Sequence, residues 1–123
     1  MSENKFQYEW CMDFERDSLP AKMLKVKKIR FDISRYGEFS EVIEFPKTVS
    51  IDEAVKAVEE FLSQPLDEAY YMKIREDLFH EAPWEEAKEW FHTRGDCLTD
   101  CKFLEAVTED KKEKGTFEIV CGS

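Results

Sequence analysis

Ser50-Ile51-Asp52-Glu53 constrains this chain more than any other four residues, because it spells a reciprocal helix start. The serine hydroxyl accepts from the backbone N–H three residues on, and the glutamate carboxylate reaches back to the backbone of the cap. Behind it Ile51, Ala54, Val55, Val58, Phe61 and Leu62 recur at helical spacing, while Asp52, Glu53, Lys56, Glu59 and Glu60 occupy the other side. A helix with one apolar stripe has to cover something.

The flanking sequence supplies the surface. Leu24, Val26, Ile29, Phe31 and Ile33 alternate with one slip at Lys27-Lys28, which predicts a strand containing a bulge. Arg35-Tyr36-Gly37-Glu38 reads as a turn, and Phe39, Glu41, Ile43 and Phe45 mark a second strand that Pro46 is expected to close. A second hairpin is expected from Lys102–Thr108 and Thr116–Cys121, joined by the charged run from Glu109 to Gly115. Between the hairpins, Pro65 ends the first helix, and Leu66, Tyr70, Ile74 and Leu78 describe a second. Pro83 suits the first position of a third helix, with Trp84, Ala87, Lys88 and Phe91 on one face and Gly95 as its terminator.

The sum is an α+β chain in which two β-hairpins flank a run of three helices, packed on one face of a mainly antiparallel sheet. A β-grasp-like arrangement is one topology compatible with that order. Residues 1–22 are acidic, carry Phe6, Tyr8 and Trp10 in alternation and end at Ser18-Leu19-Pro20; they read as an arm ahead of one domain over 23–123. The alternation suits a strand added to the sheet or an acidic aromatic motif that docks on another protein, and docking on its own domain is the favoured reading.

Twenty-eight acidic against eighteen basic residues give a net charge of -10. That field repels phosphate backbones and anionic lipid, so direct nucleic-acid or membrane binding is not expected, and a basic protein partner fits the charge. Neither a membrane-length apolar run nor the apolar core of a signal peptide is present, so the expectation is a soluble intracellular protein. Its four cysteines are then thiols by default.

The stretch from His92 to Cys101 gathers the residues with the most chemistry. His92, Cys97 and Cys101 are three zinc-type ligands, with His80 or Cys121 as a fourth if the fold converges on them. The spacing matches no paired-knuckle pattern, so the default is no cofactor and zinc is the alternative. Cys97 and Cys101 lie four apart: on a helical turn their Cα atoms would be about 6 Å apart and bridgeable, in a strand about 13 Å. Asp96 as a cap would put Cys97 at a helix start, which favours a thiolate, but Asp96 and Asp100 oppose it by charge. Gly95 with positive φ followed by Asp96 opening a new turn is the structural reading.

No phosphate-binding glycine loop, His-Glu-x-x-His or Gly-x-Ser-x-Gly motif occurs, so nothing in the sequence names a reaction. The candidate partner anchors are aromatic: Trp10 in the arm, Tyr71, and Trp90, which points off the face shared by Trp84 and Phe91. Glu60-Phe61-Leu62-Ser63-Gln64-Pro65-Leu66 and the stretch Arg94 to Cys101 resemble small uncharacterised proteins of large DNA viruses, over residues 60–104. The resemblance implies an accessory or partner-binding role and no chemistry. The leading expectation is therefore an acidic interaction module, with a zinc or thiol-redox protein as the alternative.

Overall fold

A computed structural model describes residues 6–10, 24–34, 39–75, 82–98 and 103–122. The chain is α+β. Its elements run β1 (Glu9–Trp10), β2 (Val26–Asp32), β3 (Ser40–Val49), α1 (Ile51–Leu62), α2 (Glu68–Ile74), α3 (Trp84–Ala87), a 3-10 turn (Arg94–Leu98), β4 (Phe103–Glu109) and β5 (Thr116–Gly122). One mixed sheet has the order β1-β4-β5-β2-β3. β2 with β3 and β4 with β5 are antiparallel hairpins; β2 and β5 lie parallel at the join, and β1 adds parallel to β4. The Arg35–Glu38 turn, Leu78, His80, Cys101 and Cys11 lie outside the described residues.

Alternation does what the pleat requires. Val26, Ile29 and Phe31 of β2 and Phe117 and Ile119 of β5 are buried, whereas Lys27, Arg30, Glu118 and Val120 are exposed. The irregularity anticipated at Lys27-Lys28 is the break in the β2/β3 register between Val26 and Lys28. α1 covers the buried side with Ile51, Ala54, Val55, Val58 and Leu62, and Ser50 caps it by accepting the Glu53 N–H at 3.1 Å. Among the described residues, no helix is long and apolar enough to cross a membrane.

Three expectations change. β3 does not close at Pro46 but runs on to Val49, because it forms the sheet edge, where a missing N–H breaks no ladder on its free side. α3 is one turn long; its last backbone bonds reach Trp90 and Phe91, and Gly95 does not terminate it. The chain leaves the helix at His92 because residues 92–94 pair with the loop after α1: Leu66 N–H donates to His92 O, and Arg94 N–H to Gln64 O. Gly95 does not use positive φ, which among the described residues belongs to Gly115, at 89°.

Candidate interaction surfaces

The stretch richest in chemistry turns out to be packed. Arg94–Leu98 is a 3-10 turn in which Gly95, Cys97 and Leu98 are buried. Asp96 does not open a new helix; its Oδ2 accepts the N–H groups of His92 and Thr93 at 2.8 and 3.0 Å and so ties the turn back onto itself. Gly95 is required by contact. A Cβ there would stand 2.2 Å from the Phe6 ring, so only hydrogen leaves room for the N-terminal segment.

Arg94 is stacked between two rings, its guanidinium carbon 4.6 Å from the centroids of both Phe61 and Tyr70. Its Nε, Tyr70 Oη and Thr93 Oγ1 are buried without a hydrogen-bond partner. Burial and the nearby Glu41 carboxylate push the Tyr70 hydroxyl upward, while Arg94 opposes them. This turn therefore locks α1 to α2.

Cys97 is fully buried. Burial, with Asp96 adding its charge, pushes its thiol up to about 12, which is the opposite of thiolate activation. His92 is exposed, and Cys121 is half-buried on β5. Among the described residues no three metal-type side chains come together; His80 and Cys101, the other members of the candidate zinc set, lie outside those residues.

The three aromatic candidates separate. Tyr71 is a correction: its side chain is fully buried, packed against Trp84 at 5.6 Å and Phe91 at 6.5 Å, and its hydroxyl donates to the Ala82 carbonyl. Its place on the inward side of α2 makes it a core residue with no surface for a partner. Trp10 contributes backbone to β1 opposite Leu104, and its side chain is outside the described set. Trp90 is 51% exposed.

Around Trp90 the surface is acidic. Glu85, Glu86 and Glu89 are exposed on and just after α3, and Glu68 is exposed on the neighbouring α2. Lys88 bonds Glu85 at 2.8 Å, and its ammonium is held upward by Glu85 first, with Glu89 and Glu68 adding their charge. Exposed pairs of this kind add little stability. Three carboxylates about one ammonium, with Glu86 exposed nearby in sequence, leave this stretch of surface net negative.

A second surface lies along the N-terminal segment, whose aromatic alternation pointed to an added strand or to docking on its own domain. Phe6 and Tyr8 are buried to 7% and 5% exposure, edge to face at 5.0 Å, on the side of α1. Phe6 N–H donates to Ser63 Oγ and Tyr8 N–H to Glu59 Oε2, both at 2.8 Å. Burial pushes the Glu59 carboxyl upward against the opposing Tyr8 hydrogen bond. A cavity of about 230 Å³ remains beside the segment, lined by Phe6, Gln7, Lys56, Glu59, Glu60 and Ser63. Two buried aromatics gain about 2–3 kcal/mol each and two hydrogen bonds about 1 each, against about 1–2 kcal/mol per residue for ordering residues 6–10. These terms nearly cancel before the β1 pairing with β4 and the Ser63 hydroxyl bond to the Phe6 carbonyl are added. Alternation of Phe6 and Tyr8 was the only signal of this surface.

No protein-family model matches the chain, and no curated protein or solved structure shows significant similarity to it.

Proposed function

We propose that this chain is a small acidic interaction module, acting inside the cell on a β-grasp-like scaffold, that engages a basic protein partner through the Trp90 surface. The observation that carries the reading is the exposed Trp90 just after α3, in a stretch whose glutamates Glu85, Glu86 and Glu89 are all exposed. A tryptophan that neighbouring groups can help desolvate is a strong interface anchor, and surrounding carboxylates steer a cationic partner and fix its orientation. The scaffold reading is supported by the order β4-β5-β2-β3, two hairpins joined through the parallel pair β5 and β2 with α1 against the sheet. An accessory, partner-binding role is also what the viral resemblance implies.

The test is a titration of the intact protein with a fluorescent lysine- and arginine-rich peptide over a salt series. Saturable binding that weakens steeply with salt and drops at least tenfold in Trp90→Ala supports the reading. Binding indifferent to salt, or unchanged in Trp90→Ala, sinks it.

A further inference from the structure

We propose that the groove along α1, reaching the Arg94–Leu98 turn at its Phe6 end, is a recognition site for an extended aromatic–basic–aromatic segment of a partner protein, held closed in cis by Phe6-Gln7-Tyr8. The occupant in place shows what the groove accepts. Two buried aromatic side chains spaced by two occupy it, Phe6 over Gly95, where any Cβ would collide with the ring, and Tyr8 further along α1 toward Asp32 and Cys121 of the sheet. Backbone N–H groups at both aromatic positions are accepted by side chains at the end of α1, Glu59 within it and Ser63 at its C-cap. Main-chain bonding with alternate side chains in pockets is how an extended peptide is recognised. The groove thus reads backbone and spacing together.

The middle position is where the cis occupant fits least well. Gln7 is exposed and borders the cavity of about 230 Å³, whose other walls include Glu59, Glu60 and Lys56. A longer cationic side chain in place of Gln7 fills that space and meets two carboxylates against one ammonium. Hydrogen bonds to charged groups are the strong ones, so arginine is favoured there over glutamine. A partner carrying it displaces a segment whose grip is local: β1 pairs with β4 at two positions and lies at the sheet edge. The surface is distinct from the one around Trp90, so either can fail without the other.

The intact chain carrying Phe6→Ala and Tyr8→Ala opens the groove. A synthetic peptide of residues 4–12 with Gln7→Arg is expected to bind this variant saturably, several-fold more tightly than the unaltered peptide and at least tenfold more tightly than it binds the wild-type protein, whose groove is filled in cis. Adding Gly95→Val should abolish binding. Absence of binding to the folded variant, or no preference for arginine over glutamine, overturns the proposal.

Should the double variant not fold, amide hydrogen exchange on the wild-type length chain decides. Phe6 and Tyr8 amides are expected to exchange at least tenfold faster than those of Ile29 and Phe117, slowed several-fold by Gln7→Arg and quickened by Gln7→Glu. Exchange of Phe6 and Tyr8 only together with the sheet would show that the segment does not separate, and the proposal falls.

Discussion

Two short stretches of this protein, residues 84–91 and 94–98, treat their functional groups in opposite ways. The second holds an arginine, a glycine, an aspartate and a cysteine, and uses all four for packing: stacking, close approach, turn closure and burial. The first, one helical turn and the four residues after it, carries three exposed glutamates and leaves Trp90 exposed. Residues with versatile chemistry are not thereby available for it; accessibility is decided by what the rest of the chain lays over them.

Substitutions at four positions of the two stretches sharpen the contrast. Gly95→Val should have the largest effect, about 3 kcal/mol lost in denaturant unfolding, because the new side chain must expel the Phe6 ring or distort the turn. Combining it with Phe6→Ala should cost clearly less than the sum of the two, since both remove the same contact. Additive losses would mean that the glycine serves something other than this approach.

Cys97→Ser should cost about 2 kcal/mol by enclosing a hydroxyl where the thiol now sits. The same thiol predicts a pH dependence. Its folded value is raised from the ordinary 9.0 to about 12, so the unfolded chain releases the proton first as pH rises. Stability from this group is complete below about pH 9 and is lost progressively toward pH 12, and Cys97→Ala should flatten that part of the curve. Rapid reaction of Cys97 with a thiol reagent in the native protein at pH 8 would break the picture.

Arg94→Ala should cost about 1.5 kcal/mol through two lost ring contacts, with Arg94→Lys recovering part of it because an ammonium stacks less well than a planar guanidinium. Thermal or denaturant unfolding of both variants checks this. Trp90→Ala closes the series: less than about 0.5 kcal/mol in stability, while partner binding suffers. A large stability loss there would erase the distinction between the two stretches.

Legibility followed range. The Ser50 cap, the α1 stripe, the bulge in β2 and the two hairpins were readable because each rests on neighbours a few residues apart. The continuation of β3 past Pro46 was not, since tolerance of proline depends on the strand lying at an edge. Gly95 was read as a helix terminator because glycine's local use is conformational, whereas here the reason is Phe6, eighty-nine residues earlier in the sequence. Tyr71 and Trp90 looked alike as anchors. The packing of Trp84 and Phe91 against one of them made the difference.

By itself the sequence determined the α+β class and the acidic surface, because hydrophobic periodicity and ionic charge are properties of composition and spacing. Tertiary structure alone decided which aromatic reaches solvent, that the buried Cys97 thiol is raised and not activated, and that the N-terminal segment lies in a groove of α1. Those facts depend on distances between residues remote along the chain, and only the folded topology sets them.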